Sequence, residues 1–177
     1  MSELQTERLV LRPWAESARG LLARLGADPD VVRYIGDGQP WSPERAEDVS
    51  RRIGRHWDAH GFGWRVAVEG TAAIGFIALN YLGEGTAGLS PEEFEIGWWL
   101  DPRAWGRGLA TEGARAVRDE AFGSVGAPSI VARLQPENVA SAGVATNLGM
   151  SPQFDTTGRF GEPLRVYRLT GPAPASR

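Results

Sequence analysis

The chain has 177 residues, of which 42% are hydrophobic and 23% are charged, and it contains no cysteine. This composition can form a globular core, and it excludes disulfide bonds, thiolate metal sites and cysteine nucleophiles. The formal net charge of −3 gives no general basic surface of the kind that binds nucleic acid. All 19 basic residues are Arg, which excludes a P-loop lysine and a Schiff-base lysine.

Residues 1–14 mix Glu and Arg with apolar residues, so they do not predict a signal peptide. Nothing in the chain approaches the roughly 18 apolar residues of a transmembrane span. The sequence therefore predicts a soluble, cytoplasmic protein whose partners include neither membrane nor nucleic acid. We predict one domain over residues 1–170 and a disordered, Pro- and Ala-rich tail over 171–177.

The spacing of apolar residues predicts alternating groups of strands and helices. In chain order these are a strand at 8–13, helices at 15–25 and 43–60, strands at 62–68, 73–82 and 94–100, a helix at 106–122, a strand at 129–134, a helix at 138–148 and a strand at 164–169. Residues 28–41 are rich in Asp, Gly and Pro and predict a loop, in which 31–35 could form one helical turn. The helix at 106–122 is predicted to be the longest. This order is typical of a mixed α/β layer with helices on a largely antiparallel sheet.

Two motifs match ligand-binding patterns but lack the neighbouring helix or the additional ligands that such sites require. Residues 83–88 (GEGTAG) match G-x-G-x-x-G, but a strand follows them instead of a helix, so they predict a hairpin loop. His56 and His60 have the spacing of two zinc ligands on one helix face. Because the chain has only these 2 His and no Cys, we predict no metal site.

The segment LDPRAWGRGLATE at 100–112 has the features of an anion-binding turn. The first amides of a helix have no intrahelical acceptor, and the helix dipole adds about half a positive charge there. Gly106 and Gly108 would let a phosphate approach these amides closely, and Arg107 would add positive charge. Taken alone, the segment could equally be an ordinary strand-to-helix turn.

Four segments together resemble the GNAT superfamily of acyl-CoA-dependent N-acyltransferases, and specifically its RimJ/RimL-like branch. The run WGRGLATE at 105–112 resembles the superfamily's pyrophosphate signature in the form typical of that branch. TERLVLRP at 6–13 resembles the opening strand, and FEIGWWL at 94–100 the fourth strand. Asn138-x-x-Ser141 with Leu148-Gly149 resembles the following helix, although Asn147 stands where relatives often carry Lys.

The resemblance implies a GNAT fold, an α/β (α+β) architecture with a mixed, mostly antiparallel central sheet. The sheet would have about six to seven strands flanked by about four helices, and it would be splayed between the fourth and fifth strands, here 94–100 and 129–134. The co-substrate would be acetyl-CoA, with no metal. The pantetheine arm would pair with the backbone of Trp98, Trp99 and Leu100. The remaining cofactor-binding candidates are Trp105, Gly106, Arg107, Gly108, Leu109, Ala110, Thr111 and Asn138.

Two residues are candidates for proton transfer. Glu95 shares a strand face with Gly97 and Trp99, so it could act as the base that deprotonates an amine; alternatively it pairs with an Arg or faces solvent. Ser141 could protonate or orient the leaving thiol, or it could be a small residue that permits helix packing. Asn138 could contact pantetheine, cap the helix, or do both.

The acceptor would be a primary amine, either a protein N-terminal α-amine or a small-molecule amine. Tyr34, Trp41 and Tyr81 are candidates for contacting it, and the acidic residues 84, 92 and 93 could attract a protonated amine. Family members often form homodimers, although nothing in this sequence indicates an interface. Two other functions remain open, a non-catalytic acyl-CoA-binding module and a small nucleotide-binding domain.

Overall fold

The computed structural model describes residues 2–172 of the chain. Within these residues eight strands form one sheet: β1 (Leu4–Gln5), β2 (Leu9–Pro13), β3 (Arg65–Glu69), β4 (Ala72–Tyr81), β5 (Phe94–Leu100), β6 (Ser129–Leu134), β7 (Ser151–Thr157) and β8 (Pro163–Thr170). The α-helices are α1 (Arg19–Gly26), α2 (Pro29–Val32), α3 (Pro43–His60), α4 (Leu109–Phe122) and α5 (Val139–Asn147). The strand order is β1-β2-β3-β4-β5-β6-β8-β7. Every neighbouring pair is antiparallel except β5 and β6, which are parallel.

The structure confirms the predicted fold class, with more strands than the sequence indicated. β1 has only two residues, too few to show a period. β7 has the largely exposed sequence SPQFDTT at the sheet edge, so it lacks the apolar alternation of a half-buried strand. The four residues of α2, capped by the Asp28 side chain, lie in the segment predicted as a loop.

The prediction that 106–122 is the longest helix is wrong. The longest helix described is α3, with 18 residues; it is capped by the Ser42 side chain and ends at Gly61. α4 has 14 residues because it begins at Leu109. Gly106 and Gly108 have φ of 69° and 77°, which a right-handed helix does not accommodate.

Helices cover both faces of the sheet, so that one core lies on each side. On one side α4 and α5 pack on the sheet, and a Cβ at Gly113 of α4 would lie 2.9 Å from the Ile77 side chain. On the other side the apolar residues of α1 and α3 pack against Phe76 and its neighbours. Ile77 and Phe76 are consecutive on β4 and enter opposite cores, as the alternation of a strand requires.

The sheet opens between β5 and β6. β4 and β5 pair through seven positions, whereas β5 and β6 pair only at Phe94 with Ile130 and at Glu95 with Val131. From Ile96 onward β5 has a strand neighbour on one side only. The predicted splay is therefore present between the two predicted strands.

A buried carboxylate fixes the end of β5. The Asp101 side chain, 5% exposed, forms an ion pair with Arg24 of α1 at 2.7 Å. It also accepts from the backbone N–H of Arg103 at 3.0 Å and from the Arg103 guanidinium. These hydrogen bonds from Arg103 and Arg24 hold the pKa of Asp101 well below its usual value. They tie α1 to the short turn Pro102–Ala104 that leads to Gly106.

The C-terminal segment is described only in part. The N–H of Gly171 donates to the carbonyl of Pro128 at 2.9 Å, so the first residue of the predicted tail is attached to the turn before β6. Residues 173–177 of that tail lie outside the described residues. Within 2–172, no helix combines the length and apolar character needed to cross a membrane.

Candidate functional site

The opening between β5 and β6 leads into a cleft of about 1210 Å³. One wall contains the residues after β5 and the first turns of α4 and α5; the other contains the segment around Tyr34 and one face of α3. Of the catalytic, cofactor-binding and aromatic acceptor candidates predicted from sequence, all except Arg107 line this cleft. The structure thus brings the predicted donor and acceptor candidates to one place.

The start of α4 presents backbone amides that are free to bind an anion. Gly108 is the N-cap and gives no side-chain cap, so the first N–H groups of α4 have no intrahelical acceptor. A Cβ built on Gly106 would find no atom within 4 Å, which shows that this approach is open. We call residues 105–111 the cradle. Its geometry fits a diphosphate, because free amides and the helix dipole both favour negative charge.

Arg107 does not supply charge to the cradle in the predicted way. Its guanidinium binds both carboxylate oxygens of Glu69 on β3, at 2.8 and 2.6 Å. The hydrogen bonds and charge of Glu69 raise the pKa of Arg107 above its ordinary value. The positive charge that Arg107 was expected to add to the turn is therefore compensated by Glu69 in this structure.

The free edge of β5 offers alternate backbone groups. The N–H of Asp101 donates to Ile74 and the carbonyl of Glu93 accepts from Leu82, each at 2.8 Å, so odd-numbered residues of β5 bond to β4. The backbone of Trp98 and Leu100 therefore faces the opening, as predicted. The backbone of Trp99 faces β4, which corrects its assignment as a pantetheine partner.

Trp105 closes the far end of this edge. Its indole N–H donates to the carbonyl of Leu100 at 2.8 Å, so this carbonyl already has a partner. The hydrogen bond holds the turn against the strand, although the Trp105 residue itself is 48% exposed. Within the opening, the N–H and carbonyl of Trp98 and the N–H of Leu100 therefore remain for an extended ligand to pair with.

Ser141 and Asn138 lie at the start of α5, across the opening from β5. The side chain of Asn138 accepts from the N–H of Ser141 at 3.1 Å, so Asn138 is a helix cap, and it also lines the cleft. The indole N–H of Trp98 donates to the Ser141 hydroxyl oxygen at 3.1 Å. Because that oxygen is the acceptor, its own proton is free to be donated elsewhere.

Glu95 forms an ion pair with Arg133 of β6. The guanidinium donates from Nε to Oε1 at 2.7 Å and from Nη2 to Oε2 at 3.0 Å, and it also contacts Thr86. Burial acts to lower the pKa of Arg133, but the charge and hydrogen bonds of Glu95 outweigh it and raise that pKa. The alternative expected from sequence, a strand Glu paired with Arg, is thus what the structure shows. The Glu95 side chain keeps 19% exposure to the cleft.

Both ring nitrogens of His56 are engaged by the backbone. Nε2 accepts from the N–H of Tyr81 at 3.2 Å, so Nδ1 carries the proton and donates to the carbonyl of Phe62 at 2.9 Å. Neither nitrogen is available for a metal. Among residues 2–172 no three His, Cys, Asp or Glu side chains are grouped to hold a metal ion. Burial, together with the neighbouring His60, lowers the pKa of His56.

Of the three aromatic candidates for acceptor binding, Trp41 is buried, whereas Tyr34 and Tyr81 are half-buried. Trp41 is 8% exposed and packs edge-on against Trp99, with ring centroids 5.0 Å apart. Tyr81 packs among His60, Phe62 and Phe94. Of the three acidic residues near the hairpin, only Glu84 lines the cleft.

Comparison with known proteins identifies the family. A family model described as an acetyltransferase (GNAT) domain matches residues 8–151, a range that contains β5, the cradle and α5. The chain belongs to the GNAT acetyltransferase family. The acetyltransferase structure from Agrobacterium tumefaciens is 32% identical, with a TM-score of 0.80 over 96% of this chain and 94% of that one.

Two other relatives are more distant. The FsC-acetyl coenzyme A-N(2)-transacetylase of Aspergillus fumigatus is 27% identical over 151 residues, which are 84% of this chain. This chain spans 64% of that protein's length. RimL, the ribosomal L7/L12 alpha-N-protein acetyltransferase solved with coenzyme A, shares the fold with a TM-score of 0.77 at 16% identity, over 96% of this chain and 98% of its own.

The hydrogen bonds of His56 predict a pH-dependent stability. Unfolded His56 takes up a proton near its ordinary pKa of 6.5, whereas folded His56 stays neutral to lower pH. Stability should therefore fall as the pH drops below that value, since the unfolded state then binds more protons. His56→Gln keeps one acceptor and one donor but cannot titrate, so its melting temperature should change less between pH 8 and about 5.5.

His60→Gln is the matched control, because His60 lies one turn away on α3 and is exposed. It should keep most of the wild-type pH dependence. The same pH dependence in wild type and His56→Gln would contradict the inferred protonation state.

Proposed function

We propose that the protein is an acetyl-CoA-dependent N-acetyltransferase that acylates a primary amine. The observation that carries this proposal is the continuity of the cleft, which runs from the cradle past the free backbone of Trp98 to Glu95 and Gly97. Membership of the GNAT family supports it, as does the coenzyme A present in the RimL structure.

Acetyl-CoA would bind with its diphosphate on the amides of residues 106–111. Its pantetheine arm would pair with the backbone of Trp98, in the way an added strand pairs with a sheet edge. The start of α5 would form the other side of this channel, with Ser141 near the thioester end. The exposed Val139 side chain, 78% accessible, lies on the same wall and would give the arm an apolar contact.

The chemistry is direct acyl transfer. The amine nitrogen attacks the thioester carbonyl carbon, a C–N bond forms and the C–S bond breaks. The amine must lose a proton, and the leaving thiolate must gain one. An α-amine of pKa about 7.7–8.0 loses its proton at a cost near 1 kcal/mol at about pH 7, whereas a lysine amine costs about 4–5 kcal/mol. A modest base is therefore sufficient, and the absence of cysteine from the chain fits a route without an acyl-cysteine intermediate.

Glu95 and Ser141 have roles consistent with their contacts. Each Glu95 oxygen retains a lone pair beyond its bond to Arg133, so the carboxylate can accept a proton through a water that reaches its exposed side. The Ser141 proton, left free by the bond from Trp98, can be donated to the leaving thiolate, and the hydroxyl can then take up the proton that the attacking nitrogen loses as the amide forms. Trp98 would then contribute to both the donor channel and the orientation of Ser141.

The class of amine that serves as acceptor is inferred from the sequence motifs. The run WGRGLATE at 105–112 supports placement in the RimJ/RimL-like branch, with a protein N-terminal α-amine or a small-molecule amine as acceptor. The lack of cysteine supports action in the cytoplasm, and a homodimer is the assembly implied by the resemblance. A non-catalytic acyl-CoA-binding module is the competing function, because the cradle alone would serve it.

The test of the proposed function is thiol release from acetyl-CoA in the presence of a panel of primary amines, including peptides and small metabolites. Release that depends on both acetyl-CoA and amine supports the transferase. Tight binding of CoA without amine-dependent release from any amine would favour the binding module.

Glu95→Gln tests the proposed base. The kcat/KM for an α-amine should fall on the order of 100-fold at about pH 7, the lower part of the range for general base catalysis. The loss should shrink at about pH 9, because the α-amine is already neutral there.

Thr86→Val is the control, since it removes a hydrogen bond to Arg133 without touching the carboxylate. It should leave the shape of the pH profile unaltered. If Glu95→Gln lowers the rate by the same factor at both pH values, Glu95 serves the ion pair with Arg133 and is not the base.

A further inference from the structure

Three arginines that line the cleft, Arg33, Arg52 and Arg159, form no ion pair with any residue in the described part of the chain, 2–172. Arg33 is exposed, and its guanidinium lies 5.2 Å from the ring centroid of its neighbour Tyr34. Arg52 lies on the face of α3 that lines the cleft, and Arg159 lies in the turn between β7 and β8. The two side chains therefore enter the same space from two separate elements. Sequence patterns did not single out either residue.

The two charges are close enough to affect each other. The Arg52 residue is accessible to solvent, but the protein around its guanidinium lowers its pKa by desolvation, and the positive charges of Arg159, Arg45 and Arg55 lower it further. Glu95 acts in the opposite direction. Like charges held together in a partly desolvated space are unfavourable unless an anion binds between them.

The other charged groups of the cleft do not supply that anion. The carboxylate of Glu95 is already paired with Arg133, and Arg45 is paired with Asp37 at 3.1 Å. The carboxylate of Glu162 accepts from the backbone N–H of Phe160 at 2.9 Å. The remaining acids of the lining are Asp48, which pairs with Arg51, and the exposed Asp30 and Glu84.

The space between these arginines and β5 has room for a small substrate. A Cβ on Gly97 would meet only the Ala78 side chain, at 3.8 Å, so the strand is open at this point. Gly97 lies between Glu95 and the free backbone of Trp98. An amine placed over Gly97 would thus have the proposed base on one side and the arginine pair across the cleft.

We propose that the acceptor is a primary amine that carries a carboxylate, and that Arg52 and Arg159 bind this carboxylate. The inference rests on the proposed function and specifies its substrate class. Guanidinium groups suit carboxylates because they donate two parallel hydrogen bonds. The same positive charge disfavours polycationic amines. The carboxylate could belong to a free amino acid or to an acidic residue at a peptide N-terminus.

Four related substrates separate these sources: glutamate, glutamate α-amide, glutamine and glutamine α-amide. Glutamate has both an α-carboxylate and a side-chain carboxylate, and glutamine α-amide has neither. Glutamate α-amide has only the side-chain carboxylate, and glutamine has only the α-carboxylate. Thiol release from acetyl-CoA should show a kcat/KM on the order of tenfold or more higher for a carboxylate substrate than for glutamine α-amide. Preference for glutamine points to a free amino acid, and preference for glutamate α-amide to an acidic N-terminus.

Arg52→Gln and Arg159→Gln should each raise KM for the preferred substrate and bring its kcat/KM closer to that of glutamine α-amide. Arg55→Gln, on α3 but outside the cleft, is the control and should keep the wild-type preference. A thermal shift with CoA verifies that each variant is folded and still binds the donor.

Equal rates with all four substrates, or release with other amines and with none of these four, would overturn the carboxylate proposal while leaving the transferase intact. Absence of release with every amine tested would instead contradict the proposed function itself. A preference that survives in both Arg variants would also remove these residues as its cause.

Discussion

The interaction on which the site depends is the strand pairing that stops after Glu95. β5 satisfies its backbone on one side through β4, and on the other side only as far as the pair of Glu95 with Val131. A free strand edge in a sheet is normally covered or charged, because its unpaired groups attract other chains. Here it opens into a walled cleft, so the groups remain accessible to a ligand but protected from another strand.

Several local contacts keep the opening in place. Asp101 binds Arg24 and Arg103 at the end of β5, and Trp105 holds the carbonyl of Leu100. The positive φ of Gly106 and Gly108 then turns the chain so that α4 starts beside the opening with its amides unpaired. Across the gap, the bond from Trp98 to Ser141 connects β5 with α5. These side-chain contacts connect elements around the opening that backbone strand pairing does not connect.

The uncompensated positive charge of the cleft does not lie at the Gly-rich turn, where the sequence predicted it. Arg107 is neutralised by Glu69, so the cradle presents backbone amides instead of side-chain charge. Arg133, on β6, is neutralised by Glu95. Arg52 and Arg159 lie further along the cleft, in the part that would receive the acceptor. The donor end would thus recognise phosphate by geometry, and the acceptor end would recognise an anion by charge.

Sequence patterns predicted the periodic elements and the cleft well, because apolar spacing and the Gly-rich turn are local signals. They did not predict β7, whose residues are exposed at a sheet edge and therefore show no period. They placed the backbone of Trp99 in the opening, since the face of a side chain is local but the direction of its peptide groups depends on the partner strand. The pairs of Arg107 with Glu69 and of Arg133 with Glu95 depend on strand order and register, which spacing along one chain does not contain.

Titration of CoA into two glycine variants tests the cradle most directly. Gly106 and Gly126 both have positive φ, 69° and 75°, and a Cβ on either would meet no atom within 4 Å, but only Gly106 lines the cleft. Replacement of either by Ala should cost a similar amount of stability, about 1–2 kcal/mol. We predict that Gly106→Ala weakens CoA binding on the order of tenfold or more and leaves pantetheine binding nearly unchanged, and that Gly126→Ala affects neither. Equal CoA affinity in the two variants would contradict the assignment of the diphosphate to this turn.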